Sequence, residues 1–194
     1  YSPKILDIGC AHGFLLDEAR KLGWETHGIE FSAEAAKYAT DKLNLNVSCD
    51  SITQADFPKN HFDIFTLIGV IEHLADPVSI IREINIILNP GGLLAITTIN
   101  TKGLVRLFDL KPPEHLYYFS AKNLSLLLET ENFKVIKSLP YWCFYNLNEA
   151  LDRAFRLIFK SSGRMEEFLG KIPFLKYPIK VPTNEMFVLS RKIK

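Results

Sequence analysis

The chain has 194 residues, 23 basic and 22 acidic side chains, a formal net charge of +1, and 47% apolar residues. This is the make-up of one ordinary globular domain, long enough to bury roughly 70% of its unfolded surface. Near-zero charge argues against a broad nucleic-acid footprint, and no apolar run reaches the ~18–20 residues of a spanning helix or has the form of a signal peptide.

The predicted elements alternate along the chain. Residues 4–8 form a short apolar strand ending in Asp7-Ile8-Gly9. Residues 14–22 have helical spacing, with Leu15, Ala19 and Leu22 on one side, and stop at Gly23. Residues 25–29 are a second strand. Ser32 is an N-cap candidate with Glu34 in the first turn, opening a helix to Leu43. Strands follow at 45–49 and 62–68, then a helix at 77–88 with Ile80, Ile81, Ile84, Ile87 and Leu88 on its apolar side. Asn89-Pro90-Gly91-Gly92 reads as a turn. A fifth strand covers 93–99, a helix capped by Ser120 covers 121–130, and strands at 133–139 and 186–190 complete the series. Alternating strands and helices, with continuous apolar strands, predict an α/β doubly wound sheet of seven mostly parallel strands. Cys10, Cys49 and Cys143 are few and widely spaced. They read as reduced thiols of a cytoplasmic protein. The chain begins at Tyr1 and enters a strand by Lys4, which suggests that further sequence precedes it.

The first strand–loop–helix turn, Asp7-Ile8-Gly9-Cys10-Ala11-His12-Gly13, carries the clearest chemical signal. In a doubly wound sheet ligands sit beyond the carboxyl ends of the strands, and Gly9 and Gly13 allow close approach of backbone to ligand. Glu30 ends the second strand, where a carboxylate can accept from both hydroxyls of a ribose; Phe31 offers a flat face to an adenine. A dinucleotide loop needs G-x-G-x-x-G, but Ala11 stands at the second glycine and no third glycine follows in place. Asp7 would repel a pyrophosphate and suits an ammonium group. S-adenosylmethionine, with its ribose diol, ammonium and sulfonium, fits these charges.

The chain resembles the class I S-adenosylmethionine-dependent methyltransferases, in particular the ubiquinone-type and sugar- or lipid-modifying subgroup. The similarity rests on Ile-Leu-Asp-Ile-Gly-Cys-Ala-His-Gly-Phe-Leu-Leu at 5–16, Gly-Trp-Glu-Thr-His-Gly-Ile-Glu at 23–30, the segment 62–77 containing Ile68-Gly69-Val70-Ile71-Glu72-His73, Leu-Asn-Pro-Gly-Gly-Leu-Leu at 88–94, and Pro-Glu-His-Leu-Tyr-Tyr-Phe-Ser at 113–120. It implies a Rossmann-like sheet whose last strand is antiparallel. It implies a cofactor site at Asp7, Gly9, Cys10, Ala11, Gly13, Glu30, Phe31, Ile68 and Gly69, with Asp50 and the Ser51 backbone at the adenine. Departures are Ala11 in place of the usual middle glycine, and the lack of the helix that commonly precedes strand one. The implied activity is methyl transfer to a small-molecule acceptor, on oxygen or carbon of a quinone, sugar or lipid-like compound, leaving S-adenosylhomocysteine. If the acceptor must lose a proton, His115 and then His73 are the candidate bases. No resident metal is expected, although Glu72-His73 with a distant acid could hold one. His12, His27 and His61 read as structural or solvated. Two rivals are a non-catalytic cofactor-binding module and a nucleotide-dependent oxidoreductase.

Charge is uneven. Residues 1–140 carry 13 basic and 17 acidic side chains, against 7 and 4 in 141–183. The expected organisation is a cofactor-binding core over 1–140, a helical, basic and aromatic insertion over 141–183 acting as cap or lid, and a final core strand in 184–194. Leu147, Leu151, Phe155 and Phe159 share one helical face, with a second short helix at 164–169 and an extended 171–182. Such a segment could touch a lipid surface. A monomer or homodimer is expected, with no nucleic-acid partner.

Overall fold

A computed structural model describes residues 1–52, 54–102, 112–146 and 178–193. Strand β1 (Lys4–Ile8) leads through a tight loop into helix α1 (Phe14–Lys21), then β2 (Glu25–Ile29), α2 (Ala33–Leu43), β3 (Asn46–Ser48) and β4 (Phe62–Ile68). A single 3-10 turn at Ile71–His73 precedes α3 (Pro77–Ile87) and β5 (Leu88–Ile99). Helix α4 (Ala121–Thr130), β6 (Phe133–Asn146) and β7 (Pro178–Lys192) follow. The seven strands form one sheet in the order β3-β2-β1-β4-β5-β7-β6. β1 to β5 run parallel, and β7 alone is antiparallel, to β5 on one side and β6 on the other. Strand order reverses beside β1, so the carboxyl ends of β1 and β4 form the crevice where doubly wound sheets hold ligands.

The strands are apolar on both faces because helices cover both. Ile5 joins Cys10, Leu16, Ala19, Ala39 and Leu45 under α1 and α2, whereas Leu6 and Ile8 join Phe65, Ile81, Ile84, Leu124 and Leu128 under α3 and α4. Alternation along β1 sends neighbouring side chains to opposite faces. With only 8 residues α1 is too short to be stable alone. Burial of Leu16 and Ala19 holds it; a fully buried leucine is worth about 1.5–3 kcal/mol. The expected caps are present: Ser32 Oγ accepts from Ala35 N, and Ser120 Oγ from Asn123 N.

Three strands, β5, β6 and β7, extend beyond their predicted ends. Pro140 reads as a terminator, yet β6 continues to Asn146 and pairs with β7 as far back as Pro178. The ladder shifts register between Pro140 and Trp142, and a bulge accommodates a residue without an N–H donor. Residues 141–146 and 178–183 are therefore strand, not part of a helical insertion. The rest of that expectation, the apolar helical face at 147–159, the helix at 164–169 and most of the extended 171–182, lies outside the described residues. Likewise Asn89-Pro90-Gly91-Gly92 is a bulge inside β5: Leu88 pairs with Phe62, and regular pairing resumes at Leu93 opposite Ile64. Gly91 takes the positive φ of 78° that this detour requires.

Candidate functional site

The loop after β1 is shaped by residues of positive φ: Gly9 at 74°, Ala11 at 48° and Gly13 at 79°. The amides of Gly9 and Cys10 both donate to the Ile29 carbonyl, at 2.8 and 3.2 Å, binding the loop to the end of β2. A Cβ on Gly9 would lie 2.5 Å from Val70 Cγ2, and one on Gly13 would lie 2.6 Å from Leu45 Cδ1 and 3.1 Å from Ala39 Cβ. The sequence suggests that these glycines make room for a ligand, but the space they vacate is filled by the chain's own side chains. Ala11 keeps its methyl in a left-handed conformation, at a cost of about 1–2 kcal/mol.

That strain has a partner. The Ala11 amide donates to Glu30 Oε2 at 2.8 Å, and the Ser32 amide donates to Glu30 Oε1 at 2.7 Å. The half-buried carboxylate thus spans the β1 loop and the cap of α2, fixed in orientation by two charge-assisted bonds. A carboxylate oxygen has two lone pairs, so each Glu30 oxygen keeps an acceptor site for a further donor such as a hydroxyl. Phe31 beside it is 69% exposed, a free aromatic face at the mouth of the loop. Asp50 is exposed just past β3. The Ser51 amide and hydroxyl both donate to Gln54 Oε1, at 3.2 and 2.9 Å.

Asp7 is buried and accepts from Thr66 Oγ1 of β4 at 2.6 Å. Burial pushes its carboxyl up to about 6, the Thr66 bond opposes this, and the charge of Glu30 adds to it. Burial, with the charges of Asp7 and Glu30, pushes the Cys10 thiol up to about 12. Cys10 is a packing residue without thiolate character, its sulfur 2.7 Å from where a Cβ on Gly28 would stand. The Asp7 and Glu30 carboxylates thus lie close enough across one loop for the charge of Glu30 to act on Asp7. At the end of β4, Ile68 is 39% exposed. Gly69, at φ 64°, faces open space, while its amide is anchored on the Thr97 carbonyl and hydroxyl at 3.1 and 3.0 Å.

The two predicted bases come together although 42 positions apart. The rings of His73 and His115 are 4.8 Å apart, inclined by 71°. His73 is exposed, and its Nδ1 donates to the Glu114 carbonyl at 2.7 Å, which leaves Nε2 with the lone pair. His115 is buried, and its Nδ1 has no hydrogen-bond partner. The Glu72 carbonyl accepts from the amides of Leu116 and Tyr117 at 2.8 and 3.2 Å, clamping the 3-10 turn to the His115 segment. The Glu72 carboxylate is also buried, and Oε2 accepts from Thr98 Oγ1 of β5 at 2.8 Å. Sequence reasoning missed Thr66, Thr98 and Gln54, since a threonine inside an apolar strand looks only like a good strand former. His27 packs edge-to-face on Phe62, and burial lowers its pKa, as a structural histidine would show. Beyond β5 lies a cavity of about 530 Å³ lined by Asn100, Lys102, Tyr118 and Lys122 among others. It touches none of the predicted cofactor residues and meets the histidines through Tyr118, whose ring is 5.8 Å from that of His115.

The sequence profile of a family described as a methyltransferase domain matches residues 1–138. A ubiquinone biosynthesis O-methyltransferase of Glaesserella parasuis serovar 5 (strain SH0165) is 34% identical over 156 residues, covering 74% of this chain and 64% of that protein. The chain thus spans just under two thirds of that relative's length. The crystal structure of a SAM dependent methyltransferase from Archaeoglobus fulgidus matches 98% of this chain and 86% of its own, with a TM-score of 0.70 and 20% identity. The 4+2 cyclase SpnF matches 99% of this chain and 75% of its own, with a TM-score of 0.67 and 20% identity. These structures show that the fold is shared. The chain belongs to the methyltransferase-domain family.

Proposed function

We propose that this methyltransferase domain holds S-adenosylmethionine beyond the carboxyl ends of β1 and β2 and transfers its methyl group to a small-molecule acceptor. The observation that carries the reading is the Glu30 carboxylate, fixed by the Ala11 and Ser32 amides with one acceptor site left on each oxygen. A ribose diol presents two hydroxyl donors to such a group. Asp7 offers a carboxylate to the ammonium, the Phe31 face and Asp50 lie where the adenine would rest, and Ile68 and Gly69 border the methionine chain. When bound, the cofactor supplies an electrophilic methyl group on a sulfonium.

The chain's task is then to place the acceptor in line, exclude water and, for an oxygen acceptor, take a proton. His73 follows the end of β4, and His115 meets the cavity beyond β5 through the ring of Tyr118; these are the groups that would receive the proton. The name of the 34%-identical relative favours a phenol- or quinol-like oxygen acceptor over a sugar or lipid. Calorimetric titration tests the reading: S-adenosylmethionine and S-adenosylhomocysteine should bind, and NAD should not. NAD binding alone would favour the oxidoreductase. Cofactor binding without methyl transfer to any phenolic, sugar or lipid acceptor would favour a non-catalytic binding module. His115→Ala should lower turnover at least ~100-fold, as loss of a general base does, with little change in cofactor affinity. The opposite pattern would move His115 into the cofactor site.

No described helix is long and apolar enough to cross a membrane. The proposed contact of the 141–183 segment with a lipid surface concerns residues mostly outside the described ones.

A further inference from the structure

We propose that the cavity beyond β5 is a binding site for the oxyanion group, carboxylate or phosphate, of a small molecule, with Lys102 and Lys122 as its cationic partners. The volume of about 530 Å³ lies within the range of small-molecule sites, about 300–1,000 Å³. Both lysines line the cavity together with Asn100, Ser120 and Asn123, and among the described residues no carboxylate does.

Three observations favour an anion site over two solvated surface charges. The first is the balance of charge. Residues 1–140 carry 17 acidic and 13 basic side chains, so a cavity with two lysines and no acid runs against its surroundings. Neither ammonium makes an ion pair among the described residues. A concave surface lined by one sign of charge concentrates ligands of the other sign. The second is the seat of Lys122. It stands in the first turn of α4, where no acidic residue is found. The helix dipole puts partial positive charge at this end, so it opposes a lysine there and favours an anion. The third is that backbone bonds bring the two lysines, distant in the chain, to one cavity. The Thr101 amide donates to the Phe119 carbonyl at 2.9 Å, and Asn100 and Phe119 form a bridge. Asn100 Oδ1 accepts from the Lys102 amide at 3.1 Å, and Ser120 Oγ accepts from the Asn123 amide at 3.2 Å. The turn that carries Lys102 is thereby tied to the cap of the helix that carries Lys122. Ile99 and Tyr118 also line the cavity, so the anion can be borne by an apolar ring.

The inference does not rest on methyl transfer, because anion binding is read without cofactor. If the reading of function also holds, the methyl acceptor is an acidic molecule, and the neutral amide of an acidic acceptor should show a raised KM.

The test is titration of the chain, followed by calorimetry, with phenyl phosphate, benzoate and inorganic phosphate, and with phenol and benzamide as neutral controls. Saturable binding of one phenyl phosphate or benzoate per chain is expected, with the neutral compounds at least ~10-fold weaker. Lys102→Gln and Lys122→Gln should each weaken the anion roughly ten-fold, as loss of one charge-assisted bond does, and together abolish binding. Both lysines are exposed, so these changes remove no buried contact. Lys134→Gln, on exposed β6, should change nothing. Inorganic phosphate bound as tightly as phenyl phosphate would support a site for the free ion, and weaker binding a site for an anion carried on a ring. The site is overturned if no anion binds, if the neutral compounds bind as well, or if binding survives the double variant. Loss of equal size in Lys134→Gln, or association with anionic lipid vesicles and with none of the soluble anions, overturns it too.

Discussion

Glu30→Ala should weaken S-adenosylmethionine binding by about ten- to a hundred-fold. Two losses add. The ribose hydroxyls lose charged acceptors, worth about 1.5–3 kcal/mol for hydrogen bonds to an ionised group. The Ala11 and Ser32 amides also lose the carboxylate that joins the β1 loop to the cap of α2. Since Ala11 is held at a positive φ, the freed loop should relax from the shape that receives the ligand. Glu30→Gln is the sharper variant. It preserves size, but one end of an amide is a donor, so it cannot accept from both backbone amides at once. Glu30→Gln should therefore resemble Glu30→Ala in calorimetry rather than the parent chain. An unchanged dissociation constant in both variants would sink the ribose assignment. A loss in Glu30→Ala alone would show that shape, not charge, matters.

The placement of the candidate site's acids is legible in the sequence because they lie at strand ends. Asp7 and Glu30 close apolar runs, and an ionisable residue at the carboxyl end of a strand in a doubly wound sheet has few purely structural uses. The helix caps were equally plain at Ser32 and Ser120, because capping is a local interaction. What could not be read depends on partners far along the chain. Thr66 bonds Asp7 across 59 positions, and Thr98 bonds Glu72 across 26. Nothing local distinguishes those threonines from other strand residues. Gly9 and Gly13 suggest in the sequence a close approach to a ligand, whereas in the fold Val70 and Leu45 occupy the space beside them, and only folding brings those side chains there. The predicted strand limits at Leu139 and Leu93 fall short of the observed Asn146 and Leu88 for a related cause. Proline and glycine signal a break in the local pattern, but an antiparallel or bulged ladder can absorb it.

Asp7→Asn should stabilise the fold at neutral pH while weakening cofactor binding. Burial raises the Asp7 carboxyl from 3.8 to about 6, only partly offset by the Thr66 bond. A carboxyl whose folded value lies above its unfolded one favours the native state fully below about pH 3.8 and loses that contribution as pH rises through about 6. Above that window the ionised Asp7 opposes folding by up to about 3 kcal/mol. Asparagine keeps an oxygen for the Thr66 hydroxyl but cannot ionise. The unfolding free energies of the two proteins should therefore be similar near pH 4 and diverge between pH 4 and 7. By pH 8 Asp7→Asn should melt roughly 5–10 °C higher. A variant no more stable at pH 8 than the parent would show that Asp7 is not strained by its burial. The same charge is useful to a cationic ligand. An ammonium near Asp7 would draw its carboxyl back below 6, so binding should release a proton and weaken as pH falls through 6. Asp7→Asn should bind S-adenosylmethionine less tightly and lose that pH dependence. A carboxylate that opposes folding at the working pH is the trade expected where a site is shaped for a charge the empty fold does not contain. Thr66 and Glu30 set how large that strain is, the first reducing it and the second adding to it.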